Sequence, residues 1–173
     1  MRILISHEGF SAFAGTEGYM LTVAEQLQRT GHTATICAPE LGAIAEFART
    51  RGVDIRSMRD LPPECDLILA QDAGTCLELS SRYPGARIIF VAHSTIQMLQ
   101  TPPQLPDVYD ALVVLNERTL RWARGLAHTE RLVRLRQPVD LMRARTVAPR
   151  QVGRPRMLVL SAYQFGSRFG PPI

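Results

Sequence analysis

Lysine is absent from this chain, and all 20 basic residues are arginine. We read that as genomic codon bias rather than function, but it excludes a phosphate-binding loop that depends on Lys. Cysteine is scarce. Cys37, Cys65 and Cys76 are an odd count at wide spacing, which fits neither a disulfide framework nor a zinc pattern, so buried thiols are expected. Aromatic residues make up 6% of the chain, with a single Trp. No apolar run approaches the roughly 18 residues that a membrane span requires. The start, Met1-Arg2-Ile3-Leu4-Ile5-Ser6-His7-Glu8, carries charge too early for a secretory leader. The expectation is a soluble cytoplasmic protein.

What is present fits one globular domain and little more. The chain has 173 residues, 46% hydrophobic and 21% charged, so whole-chain disorder is excluded. The net charge of +4 hides an asymmetry. Residues 1–116 hold 8 Arg against 13 acids, a net of −5, and residues 117–173 hold 12 Arg against 3 acids, a net of +9. The two ends face different partners.

Strand and helix signals alternate. Arg2–Ser6 reads as a buried strand, followed by a small polar loop over 7–15. Thr16 reads as the cap of a helix, with Glu17 in its first turn. Met20, Val23, Ala24 and Leu27 make one apolar face, and Gly31 ends the helix. The same grammar gives strands at Thr33–Ala38, Val53–Arg56, Asp66–Gln71, Arg87–Ala92, Ala111–Leu115 and Leu132–Leu135. Helices are expected over 42–51 (Ile44, Phe47 and Ala48 inward), Thr75–Tyr83 and Glu117–Ala127, with Arg121 and Arg124 outward beside Trp122. Three prolines leave 94–109 as a loop. Residues 1–136 then form one domain, 137–155 an Arg/Pro-rich linker, and Met157–Leu160 one further strand, with a frayed tail over 165–173. Runs that are apolar throughout belong to strands covered on both faces. The fold class is therefore α/β, a doubly wound parallel, Rossmann-like sheet.

In such sheets ligands bind outside the carboxyl ends of the strands, near the reversal of strand order. His7 and then Gly15-Thr16-Glu17 follow the first strand. The glycine lets backbone N–H groups approach an anion or a sugar hydroxyl, or is a plain turn glycine. The dinucleotide fingerprint is missing, and the second strand ends Cys37-Ala38-Pro39 without the acid that would hold a ribose diol. This disfavours a nicotinamide or flavin. Asp72 follows the fourth strand and binds a hydroxyl or caps the helix near Thr75. His93 and Ser94 follow the most apolar strand, where a histidine either serves a substrate oxygen or is a satisfied core residue. His32 and His128 read as structural, Asn116 as a helix cap, and Cys37 lacks a base partner.

The order of these features resembles the N-terminal half of retaining glycosyltransferases of the GT-B fold, of the glycosyltransferase family 4-like kind. Arg2–Ile5, the loop, Ala14-Gly15-Thr16-Glu17 and a helix ending Arg29-Thr30-Gly31-His32 resemble that family's strand, Gly-Gly-x-Glu and Arg-Gly-His series. Asp66–Asp72, Ile88–His93 and Leu135–Asp140 resemble three later elements, the last just before the interdomain linker. Ala14 replaces the first glycine, Gln71 stands where His is common, and Gln137-Pro138 replaces Asn-Gly.

The resemblance implies an acceptor-side domain of a nucleotide-sugar-dependent hexosyltransferase. The donor-binding half, with its Arg/Lys pair and Glu–seven residues–Glu motif, lies outside the chain, so a truncated protein with little activity alone is expected. It implies His93 beside the donor sugar as the catalytic group. Gly15, Thr16, Glu17, His7, Asp72 and Ser94 are then substrate-binding. The nucleotide sugar is a co-substrate and no metal is expected. The acceptor is a sugar, lipid or small molecule. Positioning and electrostatics carry the chemistry. The alternative is a non-catalytic Rossmann-like module whose basic C-terminal segment meets anionic lipid, peripherally on the inner membrane face, or nucleic acid. Few aromatics and no recognition motif argue against nucleic acid. A third expectation pairs the Arg-rich stretch with an acidic surface of the second half. Residues beyond 140 are expected to be mobile, swapped or used in a homodimer contact.

Overall fold

A computed structural model describes residues 1–96, 100–105, 107–126 and 131–138. The linker past 138, the strand expected at Met157–Leu160, the tail and the basic end with its expected partners lie outside them, as do Ala127 and His128.

The elements run β1 (Arg2–Ser6), β2 (Gly9–Phe10), α1 (Gly15–Arg29), β3 (Thr33–Ala38), β4 (Glu40–Leu41), α2 (Ala43–Thr50), β5 (Asp54–Ser57), β6 (Leu67–Ala70), α3 (Ala73–Arg82), β7 (Arg87–Ala92), β8 (Ala111–Val114), α4 (Glu117–Ala123) and β9 (Leu132–Arg134). Seven strands form one sheet in the order β5-β3-β1-β6-β7-β8-β9. Every pairing in it is parallel. The expected doubly wound α/β class is therefore what the chain adopts.

Period-2 alternation splits each strand between two covers. Ile3 and Ile5 pack with Met20, Leu21 and Ala24 of α1 and with Ile44, Ala45 and Ala48 of α2. Leu4 points the other way, into a cluster with Cys76 and Leu79 of α3 and Ala123 of α4. A smaller group, Tyr19 with Val91, Val113 and Leu115, extends the α1 cover over β7 and β8. Helix ends follow their local chemistry. Gly31 (φ +84°) and Gly52 (φ +78°) sit in the left-handed region just past α1 and α2, where only glycine is unstrained.

Three expectations need correction. Thr16 is not the cap of α1: the helix starts at Gly15, the capping position is Ala14, and Ala14 offers no side-chain bond. The stretch over 7–15 is not wholly loop, because Gly9–Phe10 pairs with Glu40–Leu41 as a small second parallel sheet. Phe10 is fully buried there, which is the gain that holds so short a pairing. Phe47 is only partly buried and meets Phe13 edge-on at 5.4 Å.

Candidate functional site

The chain winds outward from β1 through β3 to β5, then returns to the other side of β1 at β6 and winds out through β7, β8 and β9. The reversal falls between β1 and β6, the place where sheets of this class hold a ligand crevice between the loops leaving the carboxyl ends. The register Ser6↔Ala70 puts His7 beside Gln71 as the first residues beyond the two strands. Alternation sends both side chains to the α1 side. His93, just past β7, follows Ile89 and Val91 on that same side.

Three strands thus deliver His7, Gln71 and His93 to one place. His93 Nε2 lies 2.7 Å from Gln71 Oε1. Its ring meets Tyr19 of α1 edge-on, with centroids 4.8 Å apart. Desolvation, aided by the nearness of His7, pushes the His93 pKa down to about 4. At neutral pH only about one molecule in 10³ carries the imidazolium. His93 is therefore a neutral ring paired through Nε2 with Gln71, so it offers no positive donor at neutral pH. His7 is 6% exposed and its Nδ1 lies 2.9 Å from the Gly9 carbonyl. His7 Nε2 and Gln71 Nε2 are buried without a hydrogen-bond partner.

The other expected site residues divide between this crevice and the opposite side of the sheet. Gly15 is exposed and one turn before Tyr19, so it shares the His93 rim. The first helical bond of α1 runs from Gly18 N–H to the Ala14 carbonyl. With no side-chain cap at Ala14, the N–H groups of Gly15, Thr16 and Glu17 have no partner within the helix. Thr16 is half-buried, and Glu17 is buried in the first turn of α1. Ser94 is half-buried beside His93 and holds the Ile96 N–H at 3.1 Å. Asp72 serves α3. Its Oδ1 accepts the Thr75 N–H at 2.9 Å, and the Thr75 hydroxyl reaches both its Oδ2 and Ser6 Oγ. At 1% exposure Asp72 is committed to that network, which is the capping role rather than the hydroxyl-binding one.

Gln71 and Tyr19 were not singled out as site residues from the sequence. Their signal was weak: a polar residue directly after an apolar strand, and an aromatic on the apolar face of a helix. Asn116 caps α4, accepting the Thr119 N–H at 2.9 Å. Burial raises both the Cys37 and Cys76 thiols, Cys76 to about 12, so neither is a thiolate nucleophile at neutral pH. Among the described residues no three His, Cys, Asp or Glu side chains converge as metal ligands would, and no helix is long and apolar enough to cross a membrane. A cavity of about 440 Å³ opens elsewhere, at the amino ends of β7 and β8, between Tyr83, Arg87, Tyr109 and Arg131. It lies at the far end of the sheet from His93.

Comparison of the chain with family models, with curated proteins and with solved structures finds no match.

Proposed function

We propose that the chain forms the acceptor-side wall of the transfer cleft in a nucleotide-sugar-dependent retaining glycosyltransferase. The observation that carries this reading is the convergence, at the reversal of strand order, of His7, Gln71 and His93 with the uncapped start of α1 at Gly15. Such a crevice offers what a sugar needs. Neutral acceptors and donors meet its hydroxyls, while open N–H groups at a helix start meet a phosphate.

In this reading His93 accepts a hydrogen bond from a hydroxyl of the transferred or receiving sugar and orients it. It does not supply a proton, because its imidazolium is too scarce at neutral pH. The departing diphosphate takes the acceptor's proton, and the N–H groups of Gly15, Thr16 and Glu17 lie on the rim where its charge develops. The rate gain is then positional and electrostatic. The donor-binding residues, the hexose and the acceptor class belong to the same proposal.

Calorimetry with a panel of nucleotide sugars and free sugars tests it. Wild-type chain is expected to bind at least one member. His93→Ala and Gly15→Val are expected to weaken that binding by tenfold or more with an unchanged circular dichroism spectrum. Binding untouched by both substitutions would place the site elsewhere.

A further inference from the structure

Gln71 is fully buried just past β6, between His7 just past β1 and His93 just past β7. A glutamine in that place costs desolvation unless its amide is used, so its partners are informative. Its carbonyl oxygen lies 2.7 Å from His93 Nε2. A carbonyl oxygen only accepts, so the proton of the neutral His93 ring is on Nε2, and Nδ1 carries the lone pair. On the other side, the shorter contact of His7 Nδ1 is with the Gly9 carbonyl at 2.9 Å. The Gly9 N–H also reaches His7 Nδ1, at 3.3 Å, so both tautomers of His7 find a partner in Gly9. The His93–Gln71 pair and the His7–Gly9 pair are separate, since the facing Nε2 atoms of Gln71 and His7 have no hydrogen-bond partner.

We propose that Gln71 is a positioning residue that locks His93 as the Nε2–H tautomer, so that Nδ1 is held as a fixed hydrogen-bond acceptor for a substrate hydroxyl. Three observations support the lock. Tyr19 braces the ring edge-on from α1, so the imidazole does not turn over freely. Burial keeps the ring uncharged, and a neutral imidazole has one donor and one acceptor to distribute. The backbone of Gln71 is itself held, since its main-chain N–H donates to the Ser6 carbonyl at 3.0 Å and prolongs the β1–β6 ladder, which fixes where the side chain starts. The titratable groups around His93 are His7, just past β1, and Tyr19 from α1; Asp72, beyond Gln71, is turned to the α3 side by its bonds to Thr75. What His93 Nδ1 is for rests on the sugar-transfer reading; the tautomer does not.

Long-range nitrogen–proton NMR on the uniformly labelled chain measures the tautomer without any ligand. Wild type is expected to show His93 as a single Nε2–H species, uncharged until the pH nears 4. Gln71→Leu is expected to yield a mixture of His93 tautomers. Gln71→Glu, which retains an acceptor and adds charge, is expected to restore one tautomer and to raise the proton affinity of His93 by about tenfold or more. A merely structural glutamine would move the backbone spectrum in both variants and leave the tautomer mixed in wild type. The proposal is overturned by His93 found as Nδ1–H or mixed in wild type, or by Gln71→Glu leaving its titration in place. If Gln71→Leu does not fold, the wild-type tautomer and the Gln71→Glu titration decide alone. Those outcomes sink the lock and leave sugar binding to the calorimetric test.

Discussion

His93 shows how environment rather than residue type sets a role. In the unfolded chain its pKa is the ordinary 6.5, and in the fold it is about 4. Between those values the unfolded chain binds the proton and the folded one does not. Stability is therefore expected to fall as pH drops from about 6.5 to about 4 and to level off below, by on the order of 2–3 kcal/mol from this residue. Urea midpoints at pH 7.5 and pH 5 should differ in wild type and differ less in His93→Phe. An equal pH dependence in the two would mean that His93 titrates normally. Asp72 makes the opposite kind of case, a charged residue at the same edge taken up by structure. Asp72→Ala removes the cap of α3 and leaves the Thr75 N–H buried, a loss of about 1–2 kcal/mol readable in the same assay. Position past a strand was legible for both residues, and Asp72's capping role was one of two open readings. What separated them was the face of the sheet each side chain took, which depends on register.

Among elements, the start of α1 separates function from packing. A Cβ added at Gly15 would meet nothing within 4 Å, and its φ is not in the left-handed region. Gly15→Ala is expected to hold or raise thermal stability by up to about 1 kcal/mol. If ligands approach the backbone there, the same substitution weakens sugar binding, so melting temperature and affinity move in opposite senses. Gly42 is the contrasting glycine. A Cβ there would lie 2.5 Å from the Ser11 carbonyl oxygen and 2.8 Å from its Cα, both backbone atoms that cannot swing aside. Gly42→Ala is expected to cost about 1–3 kcal/mol by denaturant unfolding, because the β2–β4 pairing must shift to admit it. This pairing was invisible in the sequence. Two residues carry no periodicity, and Gly9–Phe10 is set by where β1 and β3 end, not by its own propensity. The misplaced cap of α1 has a similar origin. Thr16 is a good capping residue by type, but the extended backbone at Ala14 (φ −118°, ψ −177°) already starts the helix one residue before it.

At the scale of the whole molecule, the main strands were legible because parallel, doubly covered strands are continuous apolar runs. Arg87–Ala92 is the clearest, with Phe90 and Ala92 fully buried. Their order was not legible, since β6 returns to β1 rather than following β5 only through long-range packing. That return sets the reversal of strand order and brings Gln71 between two histidines 64 residues and 22 residues away in sequence, a neighbourhood no local pattern encodes. Sugar binding at this edge of the sheet is the claim on which the proposed function depends. The direct measurement is NMR mapping on the histidine-labelled and amide-labelled chain, titrated with UDP-glucose, GDP-mannose and the corresponding free sugars. Saturable shifts are predicted at His93, His7 and the amides of Gly15 and Thr16, lost in His93→Ala. Saturable shifts confined to the cavity between Tyr83 and Arg131, or none with any member up to millimolar concentration, would contradict it.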